Sequence, residues 1–222
     1  MNLPSRPELG PTGRVGVLAS GKGSNLRALV EEGVGVVAVA TNRPDSGAAA
    51  FARERGIALG LFPQRDYGGS QARDEAMLAW LRDQAVDIVV LAGYDRILSP
   101  DFVSGFPDRI LNVHPSLLPA FGGTMDAVWM ALQAGVKVSG CTVHLCDAVA
   151  DTGPIVLQAT VPVLPNDTVE SLHARIQVEE HRILPEAVRL MASGRVRREG
   201  DRLIILDPLD AEPLELPSGG SG

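Results

Sequence analysis

Arg14-Val15-Gly16-Val17-Leu18-Ala19-Ser20-Gly21-Lys22-Gly23-Ser24-Asn25-Leu26-Arg27-Ala28-Leu29-Val30-Glu31 sets an apolar run, a glycine turn and a helix-forming run in immediate succession. Residues 14–19 are short and continuously apolar after the first, the pattern of a buried strand. Gly21 and Gly23 allow a tight turn, and the helix that follows offers exposed N–H groups to an anion. A strand feeding a glycine turn that opens onto a helix is the first unit of a Rossmann-like α/β sheet. Two known phosphate patterns fail here. Gly16 with Gly21-Lys22 starts a P-loop, but Gly23 stands where Ser or Thr would meet magnesium. Gly21 and Gly23 start a dinucleotide fingerprint, but Leu26 replaces its third glycine. The loop therefore suits a single phosphate rather than a nucleoside triphosphate or NAD, and the alternative is a tight βα turn without a ligand.

Working outward, strands over 35–40, 57–62 and 86–92 alternate with helices over 45–55 and 70–84, which predicts a parallel sheet covered on both faces with right-handed crossovers. The second half loses this alternation. A strand over 109–113 and a helix over 125–134 are followed by two closely spaced strands, 138–146 and 155–163, so a mixed or antiparallel edge is expected there. A long helix spans 168–192, with Pro185 expected to kink it, and 196–198 with 202–206 form a terminal hairpin. One domain is expected over 14–206, with a phosphate-binding half (14–100) and a catalytic half (101–206), between a flexible leader (1–13) and a flexible acidic tail (207–222).

Bulk composition narrows the function. The chain has 222 residues, 45% hydrophobic and 21% charged, enough for one sizeable core. No apolar run approaches the roughly 20 residues that span a bilayer. The polar, proline-containing start does not resemble a signal peptide, so a cytoplasmic protein without membrane contact is expected. A net charge of -7 argues against a general nucleic-acid surface. Two cysteines, Cys141 and Cys146, are too few for a disulfide framework and read as buried free thiols facing opposite ways.

Chemistry concentrates in Leu111-Asn112-Val113-His114-Pro115-Ser116-Leu117-Leu118-Pro119. Side chains alternate along a strand, so Asn112 and His114 share a face and can act on one atom. Pro115 cannot continue the ladder, which predicts His114 exposed at the strand's carboxyl tip, where open α/β sheets bind ligands. Asp151, in Ala150-Asp151-Thr152-Gly153-Pro154, can hold or charge the imidazole, although an Asp in such a turn also serves backbone bonding. His144 reads as a packed or hydrogen-bonded strand residue, and the four histidines lack the close pairing of a zinc site.

In order along the chain, Ser20-Gly21-Lys22-Gly23-Ser24-Asn25-Leu26, Leu91-Ala92-Gly93-Tyr94 with Arg96-Ile97-Leu98-Ser99-Pro100, Asn112 to Pro119, Gly140 with Thr142-Val143-His144, Asp151 with Gly153-Pro154, and Gln177 with Glu180-His181 resemble the phosphoribosylglycinamide formyltransferase family. The resemblance implies formyl transfer from 10-formyltetrahydrofolate to the amine of glycinamide ribonucleotide, without metal, in a monomer or homodimer. It places Asn112, His114 and Asp151 in the catalytic trio. Gly21, Lys22, Gly23, Ser24 and Asn25 would hold the substrate phosphate, Gln177 and Glu180 the rest of that substrate, and Asp95, Arg96, Ile97, Leu98 and Asn112 the folate. A formyltetrahydrofolate hydrolase would use a similar trio but usually carries a further amino-terminal domain, for which a phosphate loop at Gly21 leaves no room. A non-catalytic folate or nucleotide sensor is the alternative from another class. Asp95 departs from the family's usual methionine, and its carboxylate is expected to turn to solvent because unpaired charge is rarely buried. Val128 departs from a histidine. An arginine expected near the folate tail is replaced around Ser70 and Gln71, with Arg65 or Arg73 as the candidate substitutes.

Overall fold

The computed structural model describes residues 13–147, 149–200 and 202–207. The first twelve residues of the expected leader and residues 208–222 of the expected tail lie outside the described residues. The first half alternates as the sequence predicts: β1 (Val15–Leu18), α1 (Ser24–Glu31), β2 (Val36–Thr41), α2 (Gly47–Arg55), β3 (Ala58–Leu61), α3 (Ser70–Asp83) and β4 (Ile88–Leu91). A short α4 (Pro100–Ser104) precedes β5 (Ile110–His114), and then come α5 (Ala127–Gln133), β6 (Val138–Leu145), β7 (Ile155–Pro162), α6 (Val169–Ala192), β8 (Val196–Glu199) and β9 (Arg202–Ile205).

Seven strands form one sheet in the order β3-β2-β1-β4-β5-β6-β7, and β8 pairs with β9 separately. Pairing is parallel from β3 to β5 and antiparallel through β6 and β7. β1 lies between β2 and β4, so the chain reverses its direction of travel across the sheet there. A crevice opens at the carboxyl ends of strands that flank such a reversal. The loops after β1 and β4 meet at this point, where the Ser20 amide donates to the Gly93 carbonyl at 3.0 Å.

Alternation along the strands divides the core. Val15, Val17, Ile88, Val90, Leu111 and Val113 pack with α1, α2, α5 and α6 on one face. Leu18, Val89 and Ile110 pack with Met77 and Leu81 of α3 and with Phe102 of α4 on the other. Asn112 and His114 share the parity of Ile110 and sit beyond the cover of α4, which leaves them lining a cleft. Val128, in the position where the resemblance calls for histidine, is buried in the α6-side core.

Helix ends follow ordinary chemistry. Ser46 and Ser99 cap α2 and α4 with side-chain oxygens, and Thr168 and Ser171 form a reciprocal capping box on α6. Pro185 does not end α6, which continues to Ala192; packing of its buried face outweighs the missing ladder bond. Cys141 and Cys146 are free thiols on opposite faces, and burial raises each to about 12, leaving them protonated at neutral pH.

Candidate active site

Two clefts flank the sheet reversal. One, of about 420 Å³, lies between the Gly93–Leu98 segment, the end of β5 and the turn carrying Asp151. The other, of about 810 Å³, lies beside Gly21 and Lys22 and reaches the start of α2.

Asp151 gathers the chemistry of the first cleft. His114 Nδ1 lies 3.3 Å and the Gly123 amide 2.8 Å from its Oδ2. Asn112 Nδ2 lies 3.2 Å and His144 Nε2 3.5 Å from its Oδ1. The turn is built for this approach. Asp151 has φ 57, a left-handed conformation that Asp tolerates better than most residues, and a Cβ on Gly153 would lie 1.9 Å from the Leu145 carbonyl oxygen. Only glycine lets that turn lie against the end of β6. Burial pushes the Asp151 carboxyl up, but the His144 hydrogen bond, the Gly123 amide and the nearby His114 and His144 rings outweigh it and hold the group below its usual range.

His114 is buried, 5% exposed, rather than open at a strand tip. The chain after Pro119 folds back over it, and His114 Nε2 meets the Phe121 carbonyl at 3.0 Å. Both ring nitrogens therefore face oxygen acceptors. His144 is the site residue that sequence reasoning missed. Antiparallel register sets it opposite Asn112, its Nδ1 bonds the Leu145 carbonyl at 2.8 Å, and its Nε2 lies 3.0 Å from Asn112 Nδ2. The signal was the side-by-side pairing of two strands, which spacing alone does not reveal.

Asp95 corrects another expectation. Its carboxylate is paired, not turned to solvent: Asn42 Nδ2 donates at 2.8 Å, and Arg43 forms an ion pair with it. Ser20 Oγ accepts from the Asp95 amide at 3.0 Å and donates to Asn42 Oδ1 at 2.6 Å, closing a ring between the two clefts. Burial raises the Asp95 pKa, but these hydrogen bonds and the Arg43 charge bring it below the ordinary value. Arg96, Ile97 and Leu98 line the first cleft, with Ile97 78% exposed at its mouth. Arg73 is no substitute for the missing folate-tail arginine, because it is fully buried against Asp74 and Gln64. Arg65 is exposed and lines the second cleft.

In the glycine loop, Gly23 has φ 77 and stands at the N-cap of α1 with no side-chain cap and no acidic residue in the first turn. That leaves the N-terminal amides suited to an anion. Asn25 is buried, donates to Glu180 Oε2 at 2.9 Å, and leaves its own Oδ1 unpartnered. Gln177 lies one helical turn before Glu180 on α6, so the structure brings the loop and this part of α6 together. Among the described residues, no group of three or more His, Cys, Asp or Glu side chains is placed to hold a metal, and no helix is long and apolar enough to cross a membrane.

A doubly wound sheet with paired clefts at its reversal, and a His–Asp–Asn cluster lining one of them, is the framework of a group-transfer enzyme. The chain belongs to the formyl transferase family, which it matches over residues 13–188. It is 46% identical over 201 residues to the phosphoribosylglycinamide formyltransferase of Mycobacterium tuberculosis, covering 88% of this chain and 93% of that protein. It is 44% identical over 195 residues to the trifunctional purine biosynthetic protein adenosine-3 of Chironomus tentans, covering 84% of this chain but spanning only 14% of that protein. The crystal structure of glycinamide ribonucleotide transformylase 1 from Symbiobacterium toebii has a TM-score of 0.86 and 46% identity, covering 93% of this chain and 99% of that one.

Proposed function

We propose that this protein transfers the formyl group of 10-formyltetrahydrofolate to the amine of glycinamide ribonucleotide, a step of purine synthesis. The observation that carries it is the Asp151 carboxylate held by His114, Asn112 and His144 on the wall of a cleft of about 420 Å³, near a loop suited to phosphate.

The substrate amine attacks the formyl carbon, the carbonyl oxygen becomes an oxyanion, and collapse breaks the bond to the folate nitrogen. No enzyme nucleophile is needed, so the protein orients, stabilises charge and moves a proton. His114 donates to the oxyanion once it releases the Phe121 carbonyl. Asn112 exchanges the longer of its two contacts, to Asp151, for the same oxygen. Ionised Asp151, in contact with the His114 ring, takes the amine's proton, directly or through water, and that proton passes to the folate nitrogen as its bond to the formyl carbon breaks. The amides of Gly21, Gly23, Ser24 and Asn25, with Lys22, hold the phosphate. Gln177 and Glu180 meet the ribose and amine side, and Asp95 to Leu98 flank the pteridine. The chain works in the cytoplasm on these two small molecules, as a monomer or homodimer, without metal or nucleic acid.

The test is release of deformylated folate with and without the amine. Turnover that requires glycinamide ribonucleotide supports the proposal. Equal turnover without it identifies a hydrolase, and binding without turnover a sensor.

A further inference from the structure

We propose that Arg198, on the terminal hairpin beyond the family match, is a positioning residue that fastens the two chain segments carrying the active-site cluster and thereby sets affinity for the formyl donor; this role presupposes the formyl transfer proposed above. The family match ends at residue 188, and β8–β9 follows it with β9 packed against β7. From β8, Arg198 Nη1 reaches Asp108 Oδ1 at 2.9 Å, and its Nη1 and Nη2 reach Asp147 Oδ1 and Oδ2 at 3.4 Å each.

Those carboxylates stand at two places that matter. Asp108 lies in the turn just before β5, four residues before Asn112, with φ 52. Asp147 follows β6, lines the smaller cleft, and lies four residues before Asp151. The Cys146 amide donates to the Ile110 carbonyl at 2.9 Å, so the two segments already run side by side. Two like charges at adjacent segment ends repel, and one planar guanidinium answers both, its fork set across the Asp147 carboxylate. Without it, the wall at Asp147 loses an outside anchor, while Asp151 is still held by the Gly123 amide, Asn112 and His114. Arg197, one residue earlier, pairs with Glu199 within the hairpin, which makes it a control.

Steady-state kinetics of Arg198→Ala, Arg198→Lys, Asp147→Asn, Arg198→Ala/Asp147→Asn and Arg197→Ala test the role. For a partly exposed charged pair in a network, Arg198→Ala is expected to raise KM for the formyl donor about threefold to tenfold, with kcat and the amine's KM within about twofold. Arg198→Lys recovers part of the loss, the double variant is no worse than Arg198→Ala, and Arg197→Ala matches the wild type. Equilibrium dialysis of tetrahydrofolate reads the same change without turnover. An unchanged donor KM in Arg198→Ala overturns the role, as does a rise in both KM values that tracks a fall in the unfolding midpoint. A wild type that binds tetrahydrofolate but never formylates the amine counts against the proposed reaction alone, with the tether still read from binding; a wild type that binds no folate overturns both.

Discussion

His114 and Asp151 form a unit, with His114 Nδ1 3.3 Å from Asp151 Oδ2. Loss of an oxyanion donor costs on the order of 100-fold to 1000-fold in rate, so His114→Ala and Asn112→Ala should lower kcat by that order with little change in binding. His114→Ala combined with Asp151→Asn should fall near His114→Ala alone, because the two groups touch and act as one unit on the same intermediate; fully multiplicative losses in stopped-flow turnover would refute the coupling. The depressed Asp151 pKa also predicts a pH effect on stability. A carboxyl held below its unfolded value of 3.8 contributes stability above that pH and loses it as the pH falls through the folded value. Urea unfolding should therefore show wild type minus Asp151→Asn shrinking as the pH falls below about 3.8, and a difference that grows there would contradict this. Asp95→Met removes the acceptor of buried Asn42 and the partner of Arg43. A stranded buried donor costs about 1–3 kcal/mol, so unfolding should register the change, while tetrahydrofolate affinity is expected to shift less than about threefold.

At the level of elements, the glycine loop was the most legible feature, because a strand, a glycine turn and a helix in succession have few packings. Gly23 is where that turn leaves least room: a Cβ would lie 2.9 Å from the Ala48 Cα, which is backbone, at φ 77. Gly23→Ala should destabilise the fold by roughly 1–3 kcal/mol and weaken phosphate binding, checked by thermal unfolding and by isothermal titration with inorganic phosphate. Asn112 and His114 were legible for a similar reason, since strand parity fixes their shared face. His144 was not, because it enters through the β5–β6 register, a contact between residues 32 apart in sequence. Burial of His114 was also beyond the local pattern. Pro115 marks where the strand stops, but the cover comes from the Phe121 carbonyl after the chain has doubled back.

Across the whole molecule, alternation of period and length gave the parallel half of the sheet, and its failure after residue 134 gave the antiparallel edge. What stayed hidden were long-range polar links: the Asp95–Asn42–Arg43 ring between the clefts, the Asn25–Glu180 bond from loop to α6, and Arg198 across two segments. Side chains of this kind look like ordinary surface charge in a sequence, and only the sheet order brings them together. The same order places the glycine loop and the Asp151 cluster at one reversal, and this adjacency is what the proposed reaction requires. Its most direct test follows the formyl carbon itself. With 10-formyltetrahydrofolate labelled at that carbon, mass spectrometry should find the label on the amine of glycinamide ribonucleotide, forming at least about 100-fold more slowly with His114→Ala. Label recovered as formate, or an unchanged rate in the variant, would contradict the account.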